Sequence, residues 1–212
     1  MRIVVPYAPG GTSDILARTL AVRVAESLGQ QVVVENRPGS NGVLGADLVA
    51  KSAPDGHTLL LTDVSGLTST PAVVPKLPFD AARDFAPITM VAYSPHLVVV
   101  PPSLPAKSLA DVVALARAKP GSFNFSTVGA GSATHLAGAL FAKRAGIEWA
   151  YIPYKGGAQA LNDLASGQAE VTFNGMLATL PFVTGQRLRA VAISSDKRWP
   201  SLPDLPTVAE QG

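Results

Sequence analysis

The hydrophobic pattern at the start of the chain changes from that of a strand to that of a helix and back. Residues 2–7 are mostly apolar, and from 14 to 28 the apolar positions recur every three or four residues. The next run, 31–35, is short and rich in β-branched residues, as in strands buried within parallel sheets. The pattern predicts a βαβ unit.

The same alternation continues along the chain. It predicts further helices at 43–52, after Ser108, at 132–145 and ending near 166–167, and further strands at 57–62, 123–127, 149–153, 170–173 and 188–194. Between these stretches, a proline-punctuated region at 71–87 precedes two apolar runs, 88–93 and 97–100. We therefore predict an α/β fold with mostly parallel sheets and helices on both faces. We place a first lobe at 1–99 and a second at 100–212.

The composition argues against several classes of partner. Lys and Arg total 17 and Asp and Glu total 15, so the charge is nearly balanced and no basic patch indicates nucleic-acid binding. Cysteine is absent, which excludes disulfides and thiolate chemistry. The sequence shows neither a signal-peptide pattern nor an apolar run long enough for a membrane span. These features favour a small ligand.

Glycine-rich turns lie where predicted strands lead into predicted helices. One spans 10–13 and another spans 129–134. The first N–H groups of a helix have no acceptor within the helix, so such turns can bind a carboxylate. Ordinary strand-to-helix connections look the same, and this second interpretation stays open. The first turn, from Pro6 to Gly11, also resembles the segment from Pro153 to Gly157.

The turn at 129–131 is similar to a dinucleotide-binding loop as well, but no acidic residue ends the strand that follows it. Neither a G-x-S-x-G elbow nor a phosphate-binding P-loop is present. His57, His96 and His135 lie on separate segments, which disfavours a metal site. A packed or exposed position is the simpler interpretation of His135.

Five ordered motifs resemble a known family. They are VVPYAPGGTSD at 4–14, VENRPG at 34–39, APDGHTLL at 53–60, PYKG at 153–156 and LPDLPTVAE at 202–210. Together they are similar to the Bug-type receptors of tripartite tricarboxylate transporters. The resemblance implies a two-lobed fold of the type II periplasmic binding protein class. It also implies a periplasmic solute-binding protein that is not an enzyme and needs no cofactor or metal.

The resemblance further implies a ligand and its partners. The ligand is expected to be a small organic carboxylate (a dicarboxylate, a tricarboxylate, an acidic amino acid or an aromatic acid), delivered to the membrane components of the transporter. Main-chain N–H groups, hydroxyls and water are expected to bind it. The expected ligand-binding residues are Ala8, Gly10, Gly11, Thr12, Ser13, Asp63, Ser65, Thr127, Gly131, Ser132, Ala133, Thr134, Tyr154, Lys155, Gly156 and Asn174.

The sequence departs from the family pattern at its ends. We expect a C-terminally truncated form, because family members continue beyond the LPDLPTVAE motif, and we expect the signal peptide to be missing from this chain. Two alternative functions stay open. One is an α/β enzyme or nucleotide-binding protein that uses the loop from Gly129 to Gly131, and the other is a receptor that has lost tight binding and survives as a sensory or vestigial protein.

Overall fold

The computed structural model describes all of residues 1–212 and contains eight strands and eight helices. The strands are β1 Arg2–Val5, β2 Val33–Asn36, β3 Thr58–Leu60, β4 His96–Val100, β5 Asn124–Thr127, β6 Ala150–Pro153, β7 Thr172–Gly175 and β8 Arg189–Ile193. The helices are α1 Thr12–Leu28, α2 Val43–Ala50, α3 Val64–Thr68, α4 Thr70–Val73, α5 Leu109–Ala118, α6 Ala133–Ala145, α7 Gly157–Ala165 and α8 Met176–Thr184. None of these helices combines the length and the hydropathy that crossing a membrane requires.

The first unit is a parallel sheet in the order β2-β1-β3, as the βαβ pattern predicts. The small residues Ala17 and Ala21 let α1 pack closely onto Ile3 and Val5 of the central strand. Helix α1 ends at Gly29, which adopts the left-handed conformation that glycine tolerates best. The carboxyl end of β1 leads into the turn that precedes α1.

The second unit contains the larger part of the core. Strand β4 lies between β7 and β8 and is antiparallel to both, whereas β5 pairs with β6 in parallel. A parallel bridge between Phe125 and Val171 connects these two groups of strands into one surface. The fully buried Phe125 stacks on Trp149 at a centroid distance of 4.7 Å. This aromatic packing fixes β5, whose carboxyl end leads into the turn before α6.

Local signals in the sequence account for most helix ends. Ser108 and Asp111 form the reciprocal capping box expected from their spacing, which begins α5. Ser132 caps α6 by accepting a hydrogen bond from the His135 N–H, and Gly146 ends that helix in the left-handed conformation. The predicted helix at 132–145 is therefore confirmed within one residue.

Three features differ from the sequence interpretation. Helices α3, α4 and α8 were not predicted, since the first two are too short to show a period and the third contains Pro181. The apolar run at 88–93 forms no regular element, and its Ile88 and Met90 side chains are 77% and 75% exposed. Strand β4 pairs with strands of the second unit, although most of it precedes residue 100. The division into lobes at that point stays a prediction.

Gly138 offers a test of the packing between α6 and β5. A methyl group added there would lie 2.6 Å from the Cζ atom of Phe125, which cannot retreat because Trp149 stacks on it. Overpacking typically lowers the free energy of unfolding by about 1–3 kcal/mol. The higher helix propensity of alanine than of glycine raises it by only about 1 kcal/mol. We expect Gly138→Ala to lower the free energy of unfolding in urea by about 1 kcal/mol. Leu140→Ala on the exposed face of the same helix should change it by less than about 0.5 kcal/mol, and a stabilised Gly138→Ala protein would contradict this packing.

Candidate functional site

A cavity of about 320 Å³ lies between the two units. It is lined by residues that follow β1, β2, β5 and β6. In open α/β sheets, ligands characteristically bind beyond the carboxyl ends of the strands. The lining residues are Pro6, Tyr7, Gly39, Ser40, Asn41, Gly42, Val74, Val128, Gly129, Ala130, Pro153, Tyr154 and Lys155. The cavity is therefore the candidate binding site.

Asp14 anchors the turn between β1 and α1. Its buried carboxylate accepts hydrogen bonds from the Gly10 N–H at 2.9 Å, from the Asn36 amide at 2.9 Å and from the Arg18 guanidinium at 3.0 Å. Burial would raise the pKa of Asp14, but the hydrogen bonds from Arg18, Gly10 and Asn36 outweigh burial and lower that pKa below its usual value. The Gly10 N–H is thus occupied by the chain's own carboxylate, which compensates the positive end of α1.

The turn before α1 contacts the turn before α7 directly. The Ala8 N–H donates to the Lys155 carbonyl at 3.1 Å. A Cβ atom on Gly156 would lie only 2.9 Å from the Ala8 Cβ, so glycine is required for this approach. Asn174, at the end of β7, donates to the Gly157 carbonyl at 3.0 Å. The two glycine turns that resemble each other in sequence therefore meet across the boundary between the units.

The turn before α6 is built from mutually bonded hydroxyls. The buried side chains of Thr127, Ser132 and Thr134 lie 2.9 to 3.2 Å from one another. Ser132 also donates to the Gly129 carbonyl at 2.6 Å. The Gly131 N–H lies 3.4 Å from its acceptor, Nδ1 of His135, whose ring also packs against Tyr151. These side chains shape the turn and leave few of their own donors free for a ligand.

Two serines of the first unit form hydrogen bonds with the turn before α6. Ser65 Oγ accepts a hydrogen bond from the Ala133 N–H at 3.2 Å, and Ser69 donates to the Gly131 carbonyl at 2.7 Å. Asp63 caps α3 by accepting from the Ser65 N–H at 2.8 Å, which fixes the position of Ser65. Hydroxyl groups of the first unit therefore link it to the turn before α6 in the second unit.

The segment from Gly39 to Gly42 forms the opposite wall of the cavity, and sequence analysis missed it. All four residues have positive φ, including Ser40 at 50° and Asn41 at 51°. Asparagine tolerates this conformation better than most residues. The Asn41 amide donates to Thr70 Oγ1 at 3.0 Å, and Asn41 Oδ1 is buried without a partner. The glycines that flank Ser40 and Asn41 were the available signal for such a turn.

Two tyrosines, Tyr7 and Tyr154, line the cavity, and the Tyr7 hydroxyl lies 3.4 Å from Thr62 Oγ1. Burial raises the pKa of Tyr7 to about 12, against the effect of its hydrogen bond with Thr62. Burial and the charge of the nearby Asp163 carboxylate raise the pKa of Tyr154 to about 12. Both side chains are consequently neutral at physiological pH.

Of the sixteen predicted ligand-binding residues, two line the cavity and fourteen lie in the turns around it. Tyr154 and Lys155 line the cavity itself. The others lie in the turns around it: Ala8, Gly10, Gly11, Thr12 and Ser13 before or within the start of α1, Asp63 and Ser65 at α3, Thr127, Gly131, Ser132, Ala133 and Thr134 around the start of α6, Gly156 before α7 and Asn174 in β7. The turn before α1 and the turn before α6 are not hydrogen-bonded to each other. The turn before α1 bonds to the turn before α7, and the start of α6 bonds to Ser65 in α3. Ligand binding by these residues stays a prediction.

The role of Asp14 can be tested through its charge. The pKa of Asp14 is lower in the folded state than in the unfolded state, so the ionised carboxylate stabilises the fold. This stability is fully present above the unfolded-state pKa of about 3.9, and it is lost as the pH falls through the folded-state pKa. Hydrogen bonds to charged groups contribute about 1.5–3 kcal/mol, so Asp14→Asn should lower the free energy of unfolding at pH 7 by about that amount. It should also reduce the loss of stability below about pH 4. Urea denaturation across pH, with the exposed Asp204→Asn as control, measures both effects, and identical profiles for the two variants would refute the role.

The interlobe hydrogen bonds of the two serines are a second test. Each is expected to contribute about 0.5–1.5 kcal/mol, so the double variant Ser65→Ala, Ser69→Ala should shift the equilibrium toward open forms by about tenfold. Small-angle X-ray scattering of the ligand-free protein should then give a larger radius of gyration. Thr68→Ala removes a hydroxyl from the same helix that bonds only to the Val64 carbonyl, and it should leave the radius unchanged. Equal radii for all three proteins would show that the serines do not hold the units together.

Comparison with known proteins connects this architecture to a receptor family. The family model described as tripartite tricarboxylate transporter family receptor matches residues 16–212. Protein BugT of Bordetella pertussis is 40% identical over 213 residues, covering 100% of this chain and 65% of that protein. A Rhodopseudomonas palustris protein solved with adipate superposes with a TM-score of 0.97 at 38% identity, over 100% of this chain and 71% of the other. MatC from the same organism, solved with bound malate, gives a TM-score of 0.94 at 30% identity, over 100% of this chain and 72% of MatC.

These relatives are longer than this chain, which spans 61% of a relative from Pseudomonas sp. strain P51 and 65% of BugT. Similarity nevertheless extends over nearly all of the residues present, and the mixed α/β architecture agrees with the fold expected from the sequence. The chain belongs to the receptor family of tripartite tricarboxylate transporters.

Proposed function

We propose that this chain is an extracytoplasmic solute-binding protein that captures a small organic carboxylate between its two lobes. The bound carboxylate is then presented to the membrane components of a tripartite tricarboxylate transporter. The site of action is the periplasm. The observation that carries the proposal is a cavity at the junction of the lobes with one cation and unpaired backbone donors in its wall.

The donors suited to a carboxylate lie on the second lobe. Gly129 and Ala130 line the cavity, and their backbone N–H groups donate to no acceptor in the protein. Lys155 lies in the same wall and takes part in none of the seven ion pairs of the chain. A carboxylate bound here would satisfy the free N–H groups and pair with the ammonium group, and both interactions are stronger when the acceptor is charged.

The relatives support the same ligand class. Two related proteins of high structural similarity were solved with adipate and with malate, both of which are small carboxylates. Another structure with a TM-score of 0.90 is that of the periplasmic binding protein BugD, which supports the proposed location. The family consists of receptors, and we propose no enzymatic activity for this chain.

The nucleotide-binding alternative is less compatible with the turn on which it depends. A pyrophosphate would need the N–H groups at the start of α6. Within that turn, the Gly131 N–H is directed to His135 and the Ala133 N–H to Ser65. Opening the turn for a phosphate would therefore break one hydrogen bond within the turn and one that links the turn to Ser65 of the first lobe.

A thermal-shift screen tests the proposal. The purified chain is heated with mono-, di- and tricarboxylates, and with nucleotides for comparison. A carboxylate at 100 times its dissociation constant should add about 2.7 kcal/mol of stability. A folded protein stabilised by nucleotides alone would support the enzyme alternative, and one stabilised by no compound would support the vestigial receptor.

Lys155→Gln provides the matching mutational test. Loss of the only charged group in the cavity wall should weaken carboxylate binding by at least about tenfold, corresponding to the roughly 1.5–3 kcal/mol of a hydrogen bond to a charged group. Isothermal titration calorimetry measures the change. Lys119→Gln alters an exposed lysine at the end of α5 and serves as the control. Equal affinity in the two variants would remove Lys155 from the binding site.

A further inference from the structure

The cavity wall contains Asn41 followed by Gly42, the sequence in which asparagine deamidates most readily. Glycine has no Cβ atom, so in a flexible chain its backbone nitrogen can approach the preceding side chain closely. The nitrogen loses its proton and attacks Asn41 Cγ, the bond from Cγ to Nδ2 breaks, and ammonia leaves with that proton. Water then opens the cyclic imide and gives aspartate or isoaspartate. The reaction needs no other reactant.

The conformation of the turn at 39–42 opposes this reaction. Ring closure requires the Gly42 nitrogen to lie on the same side of the Asn41 Cα–C bond as Cβ. Asn41 has φ 51° and ψ 41°, and this ψ places the nitrogen on the opposite side of that bond. The Gly42 N–H also donates to the Gly39 carbonyl at 3.0 Å, which holds the nitrogen there. The attack therefore requires local unfolding of the turn.

The amide of Asn41 is held as well. Its Nδ2 atom donates to Thr70 Oγ1 at 3.0 Å, and the Thr70 side chain is fully buried. A Cβ atom added to Gly131 would lie 3.8 Å from the same nitrogen, so the turn before α6 packs against the amide from the second unit. Rotation of the amide toward Gly42 would break the hydrogen bond and disturb this packing.

We infer that Asn41 is a latent deamidation site, which the Thr70 hydroxyl and the turn at 39–42 keep unreactive in the folded protein. The protection does not depend on any ligand. Modification would replace a neutral amide in the cavity wall with a carboxylate. Because like charges repel, the modified chain should bind a carboxylate ligand more weakly, and this consequence rests on the proposed function.

Peptide mapping by mass spectrometry measures the protection. The full chain is incubated at mildly alkaline pH, either folded or unfolded in urea, and the deamidated fraction at Asn41 is followed with time. We expect the folded chain to react at least tenfold more slowly than the unfolded chain. Equal rates in the two states would overturn the inference.

Substitutions of Thr70 test the cause of the protection. Thr70→Val removes the hydroxyl and nearly keeps the shape, and loss of one hydrogen bond should raise the folded-state rate at Asn41 about two- to tenfold. Thr70→Ser keeps the hydroxyl and should keep the original rate. Asn174 precedes Gly175 within β7, so its rate reports global unfolding and should not change. An unchanged Asn41 rate in natively folded Thr70→Val, or equal acceleration at Asn41 and Asn174, would overturn the role of Thr70.

Asn41→Asp tests the consequence for binding. Asparagine and aspartate have the same shape and both tolerate positive φ, so the variant adds chiefly a charge. Isothermal titration calorimetry with adipate, the ligand of one relative, should give a dissociation constant at least tenfold higher than for the unmodified chain. Asn162→Asp adds the same charge at an exposed position of α7 and should leave the affinity unchanged.

The outcomes separate this inference from the proposed function. Equal adipate affinity in Asn41→Asp and the unmodified chain would overturn the consequence for binding and leave the proposed function standing. If the unmodified chain bound neither adipate nor any other carboxylate, the proposed function would fall, and slow deamidation of the folded chain would still support the protection of Asn41.

Discussion

The arrangement of the molecule depends on a close backbone contact between two glycine turns, one from each unit. The Ala8 N–H donates to the Lys155 carbonyl, and Gly156 packs against Ala8 at a distance that no side chain would permit. This contact brings the carboxyl end of β1 to the carboxyl end of β6. The cavity lies beside this contact, and the loops at 39–42 and 128–130 line it.

Hydrogen bonding divides the polar groups around the cavity into two sets. The first set holds the structure together: Asp14 fixes the Gly10 turn, and Ser65 and Ser69 fix the α6 turn. The second set, the N–H groups of Gly129 and Ala130, has no protein partner. Because Gly129 is half-buried and Ala130 is exposed, water can satisfy these two donors until a ligand replaces it. The contacts between the units and the proposed ligand site thus use different groups, so mutations can alter them separately.

Much of the fold could be predicted from the sequence because its signals are local. The β-branched runs, the helical period of α1, the capping box at Ser108 and the glycine that ends α6 each act within a few residues. Helices α3 and α4 could not be found in this way, since five and four residues are too few for a period. The antiparallel position of β4 depends on pairing with strands far along the chain, about which a local pattern carries no information.

The candidate site was predicted only in part, for a similar reason. Tyr154 and Lys155 lie between strand β6 and the glycine pair at 156–157, and the family resemblance indicates them as site residues. Ser40 and Asn41 lie in the wall because residues 39–42 all adopt positive φ, a run that is uncommon where two of the four residues are not glycine. The partners of Ser65 and Ser69 lie more than sixty residues away, on the other lobe. Their role follows from tertiary contacts that only the folded structure provides.

A crystal structure of the chain with a bound carboxylate tests the central claim most directly. The account predicts that the carboxylate lies between the lobes, within hydrogen-bonding distance of the Gly129 and Ala130 N–H groups and beside the Lys155 ammonium group. A carboxylate bound outside this cavity, or bound without contact to these three groups, would contradict it.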